Sequence, residues 1–219
     1  MKYFQTLPKI ITTDYNNNQI VLTNLMKRVS VIDSLLKNPL LFYSYDIKDG
    51  DTPEIIANKY YGDSYRYWMV LFSNKIMDPS WDWPMNQSLL NQYIITKYTN
   101  EAAEYYEISN NTIQPYQVIS YTQSVVFEYR KVMTTIDDIS GIMTVTKNPI
   151  SQYDYFLLNT GSNNFYFNND TSVTQLIDKE EITINDYEIE MNETKRNIFL
   201  INSEYTSQFE DQLQKLMRM

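Results

Sequence analysis

Residues 45–79 read YDIKDGDTPEIIANKYYGDSYRYWMVLFSNKIMDP, and this stretch constrains the fold more than any other. Two of the four glycines in the 219-residue chain, Gly50 and Gly62, lie here, with one of its three tryptophans, Trp68. Phe42-Tyr43-Ser44-Tyr45-Asp46-Ile47 alternates as a short strand, and Lys48-Asp49-Gly50-Asp51 is a turn in which Gly50 can take positive φ. Thr52 suits a helix N-cap because its hydroxyl can accept an orphan N–H. Pro53 fits N1, where no N–H is needed, and Glu54 favours the positive end of the helix dipole. Ile56 and Tyr60 fall one turn apart and Gly62 follows as a C-cap, so the helix is short. Asp63 can cap a second helix with Tyr65, Trp68, Leu71 and Phe72 on one face and Asn74 at its end. The order is strand, turn, short helix, tight joint, second helix, with no clean second strand directly after it.

Composition removes several kinds of chemistry. The chain has no cysteine and no histidine, which excludes thiolate nucleophiles, Ser-His and Cys-His pairs, and the usual zinc ligands. Carboxylate, tyrosine and lysine chemistry remain. A formal charge of -9 opposes the counterion release that drives nucleic-acid binding, so no nucleic-acid partner is expected. No run of about 18 apolar residues and no signal-peptide pattern appears, so no membrane association is expected and the chain reads as soluble and made in a cytoplasm. The 20 tyrosines either fill the core or supply the amphipathic rings that interfaces favour.

Four segments follow from patterning. In residues 1–40, Leu22, Leu25, Met26, Val29, Ile32 and Leu36 recur at helical spacing, which predicts an N-terminal arm with an amphipathic helix from about Gln19 to Leu36. Residues 41–99 hold the module and a following helix through Leu89, Leu90, Tyr93, Ile94 and Lys97. Between them Asp78-Pro79-Ser80-Trp81-Asp82-Trp83-Pro84 is a rigid loop whose tryptophans either pack internally or anchor a partner. Residues 100–186 shift to period two, with strands expected at Tyr116–Tyr121, Ser124–Tyr129, Ile142–Thr146 and Tyr153–Leu158, and a hairpin-like loop at Asn159–Asn163 before Phe165-Tyr166-Phe167. This is a mostly antiparallel β insertion. Residues 187–219 begin with an alternating, charge-bearing stretch through Ile201 and end in a helix from about Glu204, striped by Phe209, Leu213 and Leu216.

Tyr45, Ile47, Gly50, Asp51, Thr52, Ile56, Ala57, Asn74 and Ile76 match the signature of LysM domains. The Tyr60-Tyr61-Gly62-Asp63 joint, Tyr67-Trp68 in the second helix, and Asn74 followed by Asp78-Pro79 are more specific. So is a C-terminal stretch with Asn192-Glu193, Lys195-Arg196 and Ile198 to Ile201. Together they resemble the LysM-like baseplate wedge subunit of T-even-type contractile-tail phages, over about two thirds of the chain. The resemblance implies an α+β fold: a small LysM-like strand-helix-helix module with an N-terminal helical arm, an antiparallel β insertion and a C-terminal amphipathic helix. It implies a structural virion protein without catalytic residues, metal or cofactor. Its expected partners are other baseplate wedge and hub-proximal tail proteins, in multiple copies of a symmetric tail baseplate assembled in the host cytoplasm. There it would join wedge subunits and neighbouring wedges around the hub.

Two other functions compete with this one. A LysM-type protein binding N-acetylglucosamine polymers of peptidoglycan would use the groove between the loop at Gly50, Asp51, Thr52 and Pro53 and the loop at Asn74, Ile76 and Pro79, with Trp81 and Trp83 beside it. The same residues would mark an interface in the structural reading. A glycosidase needs two carboxylates across a cleft, one in apolar surroundings. Glu180-Glu181 and Asp137-Asp138 read more simply as solvated loop charges.

Overall fold

A computed structural model describes residues 7–26, 40–137, 140–167 and 171–218. The chain forms two compact units, one from residues 1–86 with 192–219 and the other from residues 87–191. The fold is α+β, combining helices with antiparallel sheets.

The first unit opens with a hairpin of β1, Lys9–Thr13, and β2, Gln19–Thr23, paired antiparallel with Ile11 opposite Val21. The helix expected from Gln19 is therefore a strand over Gln19–Thr23, and residues 27–36 of that expectation lie outside the described residues. Local chemistry explains the difference. Asp14 accepts the N–H groups of Asn16 and Asn18, both at 2.8 Å, and Asn17 takes φ 62, closing a turn. Ile10, Ile11, Ile20 and Val21 are β-branched and favour the pleated backbone on either side.

The core of this unit sits around a second two-stranded sheet. β3, Phe42–Asp46, pairs antiparallel with β8, Asn197–Ile201, in the register Phe42 to Ile201 and Asp46 to Asn197. The second strand, missing after the second helix, comes from far along the chain. Helix α1, Pro53–Tyr61, starts and stops as its sequence dictates, with Pro53 at N1 and Gly62 as a left-handed cap at φ 70. A 3₁₀ turn at Ser64–Arg66 leads into α2, Tyr67–Ser73, which buries Trp68, Met69 and Val70. Tyr65 and Leu71, expected on the buried face, are not buried. α3, Pro79–Asp82, is capped by Asp78. The terminal helix α8, Thr206–Arg218, buries Leu213 and Met217 in the same core as Phe42, Ile56, Leu200 and Ile201, whereas Leu216 is exposed. Trp68, Phe72 and Phe209 form a ring cluster, with Trp68 stacked on Phe209 at 6.3 Å between centroids, and Arg66 pairs with Glu210 at 3.1 Å.

The second unit carries α4, Gln87–Tyr105, α5, Pro115–Ser124, and α6, Gln152–Leu157. Its strands are β4, Val126–Asp137, β5, Met143–Ile150, β6, Gly161–Phe167, and β7, Thr171–Thr183. They form one antiparallel sheet in the order β5-β4-β7-β6. Helix α7, Ile184–Glu193, leads the chain out toward β8. Strands expected at Tyr116–Tyr121 and Tyr153–Leu158 are the helices α5 and α6, and the alternating stretch from Tyr187 begins in α7. Gly161 to Asn163, expected in a loop, already pair with β7. Buried Glu188 accepts from Lys97 Nζ and the Tyr98 hydroxyl, each at 2.6 Å, and Arg130 pairs with Glu128 at 2.8 Å and Glu190 at 2.6 Å. Among the described residues no helix is long and apolar enough to cross a membrane.

Candidate functional site

The residues expected to flank a groove fall into two clusters of the first unit. The first is built on Asp51, which is buried although it stands in a polar turn. Its carboxylate accepts the Tyr45 hydroxyl at 2.8 Å, the Lys59 ammonium at 2.6 Å and the Lys48 N–H at 3.3 Å. One side chain thus ties β3, the turn and α1 together. Burial alone would raise its pKa, but the hydrogen bonds from Lys59 and Tyr45 outweigh it and hold the carboxyl below its ordinary range. Burial and the bond to Asp51 in turn push the Tyr45 hydroxyl up to about 12.

Around this carboxylate the other predicted residues shape the turn. Gly50, exposed at φ 86, supplies the left-handed step. Thr52 caps α1 through Ile55 N–H at 3.4 Å, and Pro53 is buried at the first helical position. The Trp83 indole N–H donates to the Asp51 carbonyl at 3.0 Å, so half-buried Trp83 lies against this loop and on the core. Arg196 holds the other side of the turn through Asp49 at 2.7 Å and the Ile47 carbonyl at 3.1 Å.

The second cluster is built on Asn74, at the end of α2. Its amide donates to the carbonyls of Val70 at 2.7 Å and Phe199 at 2.8 Å, and its oxygen accepts the Phe199 N–H at 2.7 Å. The Ser73 hydroxyl also donates to the Phe199 carbonyl, at 2.8 Å. Lys75 follows in a left-handed conformation at φ 56, and Ile76 N–H reaches back to Leu71 at 3.0 Å, which closes the helix end. A cleft of about 470 Å³ opens here, lined by Asn74, Ile76, Asp82, Lys195, Asn197 and Phe199 among others. Asp82 is held below the usual carboxylate range by the N–H groups of Asp78 and Met77.

Of the nine predicted residues, Gly50, Asp51, Thr52, Pro53 and Trp83 gather at the first cluster, and Asn74 and Ile76 at the second. Pro79 and Trp81 are exposed on α3, where the Trp81 carbonyl accepts from Lys195 Nζ. Sequence reading missed Lys195, Asn197 and Phe199, because their place at the cleft depends on β8 returning to β3. The only sequence signal for it was the apolar run Ile198–Ile201. The polar groups in both clusters are engaged with one another, which suits a rigid surface more than a reacting centre.

Comparison with known proteins adds two findings. A family model described as "Base plate wedge protein 53" matches residues 3–137, more than half of the chain. The chain is also 33% identical over 90 residues to "Baseplate wedge protein gp53" of Enterobacteria phage T4, across 40% of this chain and 46% of that protein. The chain thus spans about half the length of the curated relative that it matches.

Proposed function

This chain belongs to the base plate wedge protein 53 family, and from that premise we propose that it is a structural subunit of a phage tail baseplate. In this reading it joins other wedge subunits and helps hold neighbouring wedges together around the hub, in the virion and without catalysis. The family match over residues 3–137 carries the proposal. The clusters at Asp51 and Asn74 support it, since both use their polar groups to fix elements in place and so present surfaces of defined shape. Gly50, Asp51, Thr52, Pro53, Asn74, Ile76, Pro79, Trp81 and Trp83 then mark the rigid faces of a LysM-like scaffold.

The test is reconstitution with the other baseplate proteins of the same phage. Co-expression should give a stoichiometric wedge complex containing this chain, read by size-exclusion chromatography with light scattering. Wedges that assemble and close into a baseplate equally well without it would overturn the reading. The sugar-binding alternative calls for groups free to bond acetamido arms, yet the Asp51 carbonyl and the Asn74 amide already have protein partners. Titrating the full chain with chitooligosaccharides should accordingly give no saturable heat or shift.

A further inference from the structure

We propose that the outer edge of β2 pairs antiparallel with the β2 edge of a second copy of this chain, about a two-fold axis at Val21, giving a four-stranded sheet. The hairpin's own hydrogen bonds fix which groups face outward. Asp14 N–H bonds to Asn18 O at 2.9 Å and Asn24 N–H to Pro8 O at 2.8 Å, bracketing the ladder at its two ends. Antiparallel pairs alternate between bonded and non-bonded. Ile10 with Leu22 and Thr12 with Ile20 are therefore the bonded pairs, and the N–H and C=O groups of Gln19, Val21 and Thr23 point away from β1. Those three residues form a self-complementary set. With the axis at Val21, Val21 faces Val21 and Gln19 faces Thr23, and every outward group finds a partner.

The side chains permit this pairing. β2 is uncharged along its whole length, Gln19-Ile20-Val21-Leu22-Thr23, and all five residues are exposed. The hairpin's charges sit at opposite ends, on Lys9 and Asp14. The two-fold brings the Asp14 end of one copy to the Lys9 end of the other, so like charges do not meet. On one face Ile20 of each copy comes beside Leu22 of the other, extending a strip that Ile10 begins. Three other edges among the described residues are defended: β1 carries Lys9 after Pro8, β5 carries Lys147 and Pro149, and the outer side of β8 at Phe199 is bonded by Asn74. β2 has none of these devices. A five-residue edge buries less than the roughly 1,200–2,000 Å² of a lasting interface, so the association is reversible and concentration-dependent.

Sedimentation velocity on the full chain, from micromolar to millimolar concentration, tests this directly. A monomer–dimer equilibrium is expected. Val21→Lys, which sets two ammonium groups face to face on the axis, should weaken it by roughly tenfold or more, and Val21→Thr should retain it. Because Val21 is exposed, both variants should unfold thermally as the parent does. Hydrogen exchange in the dimer should slow at the amides of Gln19, Val21 and Thr23. A chain that stays monomeric throughout, or a dimer indifferent to Val21→Lys, overturns the proposal. So does protection of those amides only when another tail protein is added, which would assign the edge to that protein. The measurement needs no wedge assembly, so its failure is separate from failure of the baseplate reading.

Discussion

The carboxamide of Asn74 behaves as a short length of strand, giving an N–H to the Phe199 carbonyl and taking the Phe199 N–H in return. Replacing it with alanine leaves both backbone groups without that partner and should cost about 1–3 kcal/mol in chemical unfolding. Asn74→Asp should cost more, because it keeps the acceptor for Phe199 N–H but turns an anionic oxygen toward the carbonyls of Val70 and Phe199. If Asp proved milder than Ala, the two-way bridge would be disproved. Asp51 raises a pH question instead. Its pKa is lowered in the fold, so the charged form is favoured there, and the stability it contributes is present above the ordinary value near 4 and lost as pH falls through the folded value. Urea unfolding of the parent should show a steeper loss of stability as pH falls below the ordinary carboxyl value than that of Asp51→Asn. At neutral pH that variant should itself be weaker by about 1–3 kcal/mol, since the Lys59 pairing goes with the charge.

At the scale of elements, helix ends decide what was legible. α1 was readable because each signal was local and strong: Thr52 as cap, Pro53 at N1, and Gly62 at φ 70. An alanine at Gly62 would meet no atom within 4 Å, so its penalty is backbone strain alone, about 1 kcal/mol, measurable by thermal unfolding of Gly62→Ala. Three helices were read wholly or partly as strands, yet each announces its start. Gln114 N–H bonds to Gln117 Oε1 at 2.9 Å, Asp154 N–H to Ser151 Oγ at 3.1 Å, and Asp186 N–H to Thr183 Oγ1 at 3.2 Å. Each is a capping pair three residues apart. The apolar and polar residues that follow happen to alternate, and in α5 that hid the helical spacing of buried Val118, Tyr121 and Thr122. The opposite error at β2 arose because Leu22, Leu25 and Met26 share a helical spacing that the Asp14 turn overrides. For the candidate site, the turn at Gly50, the Thr52 cap and the helix end at Asn74 were visible in the 45–79 segment, whereas the bonds of Asp51 to Tyr45 and Lys59 were not. The half that depends on β8 was not, since strand pairing across the chain leaves no mark in a local pattern.

At the scale of the molecule, the first unit is interrupted rather than merely followed by the second. The chain leaves it after Asn86 and re-enters at Asn192, and the Asn192 amide accepts the N–H of Met85, next to the exit, at 2.7 Å and donates to its carbonyl at 2.9 Å. The two crossing points are thus fastened side by side. Residues 87–191 should be replaceable by a few glycines and serines with the first unit still showing a cooperative thermal transition. Loss of that transition would show that the insertion is needed for folding. The same topology governs the order of events at the ribosome. Ser44 and Asn197, whose side chains bond at 3.1 Å, are 153 residues apart in the chain. At 5–20 residues per second, roughly 8–30 s pass before β3 meets its partner. Throughout that interval the strand and its two helices are an open half-core, while the insertion has everything that it needs to close. A chain arrested before Asn197 should therefore be cut readily by protease within residues 42–86. Synthesis itself makes the earliest-made core the last to become permanent.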